Sequence, residues 1–155
     1  MQIGLVRLLQ DEIGLKEEMM NLEIESRISH DRIRALSTSK SNETIDRKTE
    51  RAIRVVEAQG DAAVVERLRE LDREWDIDRV LMLNFSALVF IQLLLARKNK
   101  KWLWGPLIQT PFLFMHATLG WCPPSLWFRP LGFRTRQEIQ AEREVLMDYL
   151  KQVPN

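Results

Sequence analysis

VLMLNFSALVFIQLLLA, residues 80–96, is the stretch of sequence that decides the fold. It contains no charged residue, and only Asn84, Ser86 and Gln92 interrupt its apolar side chains. A helix of this length measures about 26 Å at roughly 1.5 Å per residue, close to the lower limit for crossing a hydrocarbon core of about 30 Å. The segment therefore predicts a membrane-spanning helix.

A second uncharged segment follows after a short basic turn. The turn, residues 97–101 (RKNKK), carries four cations, and residues 102–121 (WLWGPLIQTPFLFMHATLGW) then contain no Asp, Glu, Lys or Arg. Together the two segments predict a transmembrane hairpin with helices at 80–96 and 102–121, within a membrane unit that covers residues 80–128. The alternative is a hairpin buried in a soluble core, which requires amphipathic partners able to cover two helices that are apolar all round.

All five tryptophans flank the apolar segments, and none lies within the first one. This distribution is typical of membrane proteins, in which the indole ring sits among the lipid headgroups while its N–H stays hydrated. Arginines at the segment ends can extend to the same level. The predicted membrane-interface anchors are Trp75, Arg79, Arg97, Trp102, Trp104, Trp121, Trp127 and Arg129.

The N-terminal half has the patterns of charged helices. Residues 1–36 place apolar side chains at 3,4 spacing, which predicts one long amphipathic helix that packs along a partner as in a coiled coil. Residues 37–42 contain no apolar residue and are predicted to be a linker. Residues 43–79 are predicted to form a pair of soluble helices, divided at Gly60, with Asp61 as a capping residue.

After the hairpin the chain returns to an amphipathic pattern. Thr135 and Glu138 have the spacing of a capping box at the start of a last helix. Arginines before this helix suit lipid headgroups, so residues 129–155 are predicted to form an interfacial C-terminal helix. The predicted fold class is therefore all-α, with N-terminal soluble helices, a two-helix transmembrane hairpin and a C-terminal amphipathic helix.

Charge is divided unevenly between the two halves of the chain. Residues 1–79 carry 14 Lys and Arg against 18 Asp and Glu, whereas residues 80–155 carry 9 against 4. A basic half that contains the apolar segments indicates a lipid bilayer as partner. Outside the apolar region the basic residues are not interleaved with aromatic ones, so nucleic-acid binding is not expected. Neither phosphate-binding loops nor catalytic sets occur in the sequence, so we expect no enzymatic activity and no cofactor.

One face of the second apolar segment collects small and polar residues. Gly105, Gln109, His116 and Gly120 fall within about 60° of one another at roughly 100° per residue. Small residues allow helices to approach closely, and amide or imidazole groups can bond across the contact, with Asn84 on the first segment as a plausible partner. This face is predicted to pack against another helix; the alternative is that His116 is a haem or metal ligand.

Cys122 is the only cysteine of the chain. Pro123 and Pro124 follow it directly and are expected to end the helix and turn the chain out of the bilayer. The residue is therefore predicted to be structural. The alternative is a reactive thiol near Arg129, which would make the protein a sulfur- or redox-handling one.

A family resemblance is carried by two stretches that flank the apolar segments. These are ERLRELDREWDIDR before them and GWCPPSLWFRPLGFRTRQEI after them. Residues 66–145 resemble the YgaP-like transmembrane domain family, small hairpins of the bacterial inner membrane. Gly120, Trp121, Cys122 and Pro123 match the family's Gly-aromatic-Cys-Pro sequence. In some members the hairpin follows a rhodanese domain and is implicated in sulfur chemistry and dimerisation, whereas here a charged helical region precedes it.

These observations predict a small accessory or scaffold protein of the bacterial inner membrane, multi-pass, that binds other proteins by helix packing. Its partner is expected to be a membrane protein or a second copy, with a soluble partner possible for the N-terminal helix. Eight arginines flank the outer ends of the hairpin and four cations lie in the turn, so both termini are expected in the cytoplasm.

Overall fold

The computed structural model of the chain describes residues 14–15, 18–19, 22 and 30–152. Every regular element bounded within this part is helical, which confirms the all-α prediction. The elements are α1 (Arg32–Leu36), α2 (Ser39–Gln59), α3 (Asp61–Arg73), α4 (Ile77–Ala96), a 3₁₀ helix (Lys100–Leu103), α5 (Trp104–Leu119), α6 (Pro123–Phe128) and α7 (Arg136–Gln152).

The start of the chain differs from the predicted single helix over residues 1–36. Asp31 has an extended backbone, and its side chain accepts a hydrogen bond from the N–H of Arg34 (3.0 Å), so α1 is a separate short helix. Leu15, Met19 and Leu22 are helical and exposed, and most of the predicted helix before His30 lies outside the described residues.

The predicted linker 37–42 is shorter in the structure. Thr38 caps α2 by accepting a hydrogen bond from the N–H of Ser41, so the helix begins at Ser39. Gly60, with φ of 91°, separates α2 from α3 as expected, because a left-handed backbone favours glycine. Asp61 is the first residue of α3 and makes no capping hydrogen bond, contrary to prediction.

Helices α2, α3 and α7 form a bundle around one apolar core. Its buried residues are Ile53, Val64, Leu71, Ile139 and Leu146. The predicted capping box opens α7: Thr135 N–H donates to Glu138 Oε2 (2.9 Å), and Glu138 N–H donates to Thr135 Oγ1 (3.2 Å). The predicted interfacial C-terminal helix turns its apolar side toward α2 and α3 and does not present it outward.

Helices α4 and α5 form an antiparallel pair, here called the hairpin together with the turn and the 3₁₀ helix. A small cluster of Leu81, Phe85 and Cys122 lies at its open end, where α6 packs against α4. The first N–H of α4, on the buried Ile77, donates to the carbonyl of Arg134 (3.0 Å). The hairpin is thus attached directly to the segment that precedes α7.

By length and composition, one helical stretch in the described part could cross a membrane. The stretch joins α3 and α4, Asp61–Ala96, across the short break at residues 74–76, and α4 is its apolar part; 11% of the apolar window is buried. Helix α5 has 16 residues and is shorter than a typical spanning helix. A two-helix transmembrane hairpin is therefore not established by the fold, although the helical pair itself is present.

Candidate functional site

The outer surface of the hairpin is the most unusual feature of the molecule. Phe90 on α4 is 64% exposed, and Leu107 and Phe114 on α5 are 61% and 70% exposed. Further exposed apolar residues on the two helices are Met82, Leu83, Leu88, Ile91, Leu93, Leu94, Ile108, Leu113 and Leu119. A contiguous apolar surface of this kind marks a site that contacts a membrane or another protein.

Tryptophans lie at both ends of the hairpin, as the sequence indicates. At the turn end, Trp102 and Trp104 are 47% and 65% exposed. At the open end Trp127 on α6 is 73% exposed, and the guanidinium of Arg79 lies 5.0 Å from the centre of the Trp75 ring. Arg97 is exposed beside the turn, and Trp121 is partly buried. These seven residues lie at the two ends of the hairpin, where an amphipathic ring or a cation could contact headgroups.

Arg129 is not an interface anchor, contrary to prediction. It is 2% exposed and donates two hydrogen bonds to Glu138, from Nη1 to Oε2 (2.6 Å) and from Nη2 to Oε1 (2.8 Å). Its Nη2 also donates to Asn42 Oδ1 (2.6 Å). Arg34 donates a further hydrogen bond to the carboxylate of Glu138 (3.0 Å). A buried guanidinium needs this pairing, because an uncompensated charge inside a protein is costly.

A second buried pair lies one turn further along α7. Arg134 pairs with Glu142 and also with Glu74, through Nε to Oε1 (2.7 Å) and Nη2 to Oε2 (2.6 Å). Glu142 is fully buried and accepts another hydrogen bond from Arg67 Nε (2.8 Å). Arg129 and Arg134 therefore attach the loop between the hairpin and α7 to the bundle through buried ion pairs.

The pKa values of this network follow from its pairing. Burial alone would raise the pKa of Glu138, but hydrogen bonds and charge from Arg129 outweigh it and hold that pKa below its ordinary value. Burial would likewise lower the pKa of Arg134, but Glu74 and Glu142 raise it instead. Both groups are consequently charged at neutral pH, so the network stabilises the joint as ion pairs.

The small-and-polar face is divided in the structure. Gly105 lies against the side chain of Gln92, since a Cβ placed on Gly105 would come within 2.4 Å of Gln92 Cδ. Gly120 ends α5 with φ of 74° and has no atom within 4 Å of such a Cβ, so its role is conformational. Asn84 is exposed and makes no side-chain hydrogen bond to this face among the described residues, whereas Gln109 is partly buried, with its Oε1 lacking a hydrogen-bond partner there.

His116 connects the two helices at the open end of the hairpin. It is 9% exposed, and its Nε2 lies 3.1 Å from Oδ1 of Asp78 in the first turn of α4, close enough to donate a hydrogen bond. In the part of the chain that the structure describes, three or more His, Cys, Asp or Glu residues nowhere group in a way that could hold a metal ion. The contact with Asp78 agrees with a helix-packing role for His116.

Cys122 is fully buried between α4 and α6. The hydroxyl of Ser125 donates to its carbonyl (2.6 Å), which starts α6, and burial raises the pKa of the thiol. A nucleophilic cysteine needs the opposite conditions, access and a lowered pKa. The surroundings of Cys122 thus favour the structural interpretation.

Two carboxylates on α7 take part in this network although the sequence pattern did not indicate it: Glu138 was expected only as a capping residue, and Glu142 was not singled out. They lie four residues apart and therefore on one side of α7. Carboxylates on a solvated helix face have the same spacing, so the pattern does not indicate burial. The sequence does contain one signal for this network. Arg129 and Arg134 have no acidic neighbour in sequence before Glu138, which indicates that carboxylates of α7 could be their partners.

Comparison of the chain with protein-family models, with curated proteins and with solved structures found no match.

Proposed function

We propose that the protein is a membrane-anchored accessory or scaffold protein, whose hairpin lies in a bilayer and whose bundle stands at the membrane surface. The observation that carries the proposal is the exposed apolar surface of α4 and α5, which the bundle leaves uncovered. A helix that is apolar all round is stable only in a protein core or in lipid. Apart from α6 at the open end, the described elements leave the outer surface of these two helices uncovered, so lipid is the surrounding we infer.

The lengths of the two sides of the hairpin support this arrangement. Helix α4 has 20 residues and rises about 30 Å. Helix α5 adds about 24 Å to the roughly 8 Å of the 3₁₀ helix before it, since a 3₁₀ helix rises about 2.0 Å per residue. These lengths include the charged ends Asp78, Arg79, Lys100 and Lys101; the uncharged parts, residues 80–96 and 102–119, rise about 26 Å and about 28 Å, slightly less than a hydrocarbon core of about 30 Å.

The scaffold role rests on surfaces outside the hairpin. Leu15, Met19 and Leu22 are exposed on a helix at 3,4 spacing, the pattern of a helix that packs along a partner. The buried arginine–glutamate pairs hold the bundle to the open end of the hairpin. We infer that this rigid joint positions a bound soluble protein at the membrane, in a YgaP-like hairpin that carries a helical region instead of a rhodanese domain.

Extraction of membranes with alkaline carbonate tests the anchoring. The full chain should stay in the pellet. Phe90→Asp combined with Phe114→Asp should release it, because each charge near the middle of a spanning helix opposes insertion by about 2.5–3.5 kcal/mol. The matched control places the same charges on the bundle, at the exposed Val55 and Val65, and should remain in the pellet. Release of the unmodified chain would contradict the proposal.

A cysteine scan tests the topology, for which we propose that both termini are cytoplasmic. Single cysteines at Ser39 and Asn99, both exposed, are introduced into a Cys122→Ser background. A membrane-impermeant thiol reagent added to intact cells should label position 99 and leave position 39 unlabelled. The reverse pattern would invert the orientation, and labelling of neither would point to a hairpin that enters and leaves on the cytoplasmic side.

A further inference from the structure

We propose that the turn end of the hairpin is a binding site for anionic phospholipid headgroups. The site comprises Arg97, Lys98, Lys100 and Lys101, with Trp102 and Trp104 beside them. This inference rests on the proposed membrane insertion and adds the class of lipid that the protein selects.

The positive charge of this site has no compensation within the described structure. Residues 79–137 contain no Asp or Glu, and the nearest acidic residues along the chain, Asp78 and Glu138, lie at the open end of the hairpin. Helix α4 puts about 30 Å between the two ends, several times the Debye length of roughly 8 Å at physiological salt. The four cations therefore attract external anions without interference from the carboxylates that the structure describes.

The arginines at the open end are in the opposite situation. Arg129 and Arg134 are paired with Glu138 and Glu142, and Arg136 donates to Asp76 Oδ2 (3.1 Å). Arg143 is paired with Asp72. Although the sequence places more cations near the open end, most of them are paired with carboxylates, and Arg79, unpaired among the described residues, lies against the Trp75 ring. The turn is consequently the place where unpaired cations are most concentrated in the described part of the chain.

The local backbone holds the four cations close together. Arg97 caps the end of α4, and Asn99 Oδ1 accepts a hydrogen bond from the N–H of Lys101 (3.0 Å), which starts the 3₁₀ helix. All four side chains are exposed, and none of them makes an ion pair in the part of the chain that the structure describes. Four cations within five residues thus project into the surroundings from one rigid turn.

The neighbouring apolar surface identifies the anion as a lipid. Trp102 and Trp104 are exposed directly beside the cations, and Leu94 and Leu103 are each 49% exposed. A nucleic acid or an acidic protein surface would satisfy the charges but leave these side chains in water. A phospholipid supplies a phosphate at the level of the cations and hydrocarbon next to it, which satisfies both requirements.

The test uses the full chain reconstituted into vesicles of phosphatidylcholine, either alone or mixed with phosphatidylglycerol. Flotation measures its association with each vesicle type. Mass spectrometry then identifies the lipids that stay bound in mild detergent. The bound lipid should be enriched in phosphatidylglycerol. Replacing Arg97, Lys98, Lys100 and Lys101 by Gln should reduce that enrichment by roughly tenfold or more, since each cation near an anionic surface contributes about a fivefold preference. The control replaces the exposed Lys40, Arg47, Lys48 and Arg51 of α2 by Gln and should keep the enrichment.

Each other outcome has a distinct meaning. Flotation with both vesicle types but equal retention of the two lipids overturns the headgroup site and leaves membrane anchoring intact. Equal loss of enrichment in the control variant overturns it as well, because the effect then follows net charge and not the turn. Failure to float with either vesicle overturns the membrane proposal and this inference with it. Heparin, a soluble polyanion, should not displace the bound lipid. If it does, the turn is a general polyanion site to which the apolar residues contribute nothing, and the lipid proposal is overturned.

Discussion

The bundle and the hairpin are both made of helices, yet they distribute apolar side chains in opposite ways. In the bundle, Ile53, Val64 and Leu146 are 0% exposed and the charged residues face outward or pair inside. In the hairpin, large apolar residues such as Phe114 are exposed, and the polar residues Gln92 and His116 turn toward the partner helix. The bundle carries its own core, whereas the apolar surface of the hairpin is not covered by the part of the chain that the structure describes.

This difference explains why ion pairs are buried where they are. A residue at the joint between the two regions is surrounded by helices on several sides, and water does not reach it. Arg129 and Arg134 occupy that joint and are neutralised by carboxylates of α7. At the turn, cations of the same kind remain exposed and unpaired among the described residues. Position relative to the bundle, not residue type, decides which cations are structural.

Removal of Glu138 is the strongest test of the joint. Glu138→Ala leaves the guanidinium of Arg129 buried with only Asn42 and a backbone carbonyl as partners. Breaking a buried pair in this way costs about 3–5 kcal/mol, so the free energy of unfolding in detergent should fall by that amount. Glu66→Ala, which breaks the exposed pair with Arg69, is the control and should cost about 1 kcal/mol or less. Equal effects would show that the buried network contributes no more than a surface pair.

The same carboxylate predicts how stability depends on acid. The folded pKa of Glu138 lies below its unfolded value, so its contribution is fully present above the unfolded pKa of about 4.3 and is lost as pH falls through the folded pKa. Unfolding followed from neutral pH downward should show a loss of stability below about pH 4. Glu138→Gln should flatten this dependence, and an unchanged pH profile would assign it to other groups.

Truncation of apolar residues should lower the free energy of unfolding in the bundle but not in the hairpin. Leu146→Ala removes a fully buried side chain of the bundle and should lower the free energy of unfolding by about 2–5 kcal/mol. Phe114→Ala removes a larger side chain that contacts little protein and should leave protein stability in detergent within about 0.5 kcal/mol. A large loss for Phe114→Ala would mean that the exposed face of α5 is packed against protein.

A change at Gly120 should have an intermediate effect that is independent of contacts. Its φ of 74° is left-handed, and a Cβ there meets no neighbouring atom. Gly120→Ala should therefore cost about 1–2 kcal/mol through backbone strain alone. Gly120→Asn should recover part of the loss, because asparagine tolerates this conformation better. Equal stability of the two variants in thermal unfolding would contradict the strain explanation.

Cys122→Ser should have the smallest effect. The side chain is buried, but the N–H of Ser125 in the first turn of α6 offers a partner to a hydroxyl, since Pro123 and Pro124 have no N–H; we therefore expect a cost of about 1 kcal/mol and an unchanged amount in the membrane fraction. In the unmodified protein, a membrane-permeant maleimide at neutral pH should react with Cys122 only after unfolding. Rapid modification of the folded protein would restore the reactive-thiol alternative.

Local features of the fold were predictable because they depend on neighbours in sequence. The apolar pattern of residues 80–96 predicted a helix, and the structure places α4 over Ile77–Ala96. The capping box at Thr135 and the break at Gly60 have the same local origin. The helix over residues 1–36 was predicted too long because periodicity continues across Asp31, and only the capping hydrogen bond reveals the interruption.

The sequence by itself determined that the chain is helical, that its apolar and charged segments are separate and that one segment is apolar enough to enter a membrane, since all three follow from composition and period. Tertiary structure alone decided which polar residues are buried. Asn42 and Arg129 are 87 residues apart and meet only because α2, α6 and α7 pack together. Arginine at position 129 thus resembles a headgroup anchor in sequence and is a buried ion-pair partner in the fold, because the environment of a charge depends on all the elements packed around it.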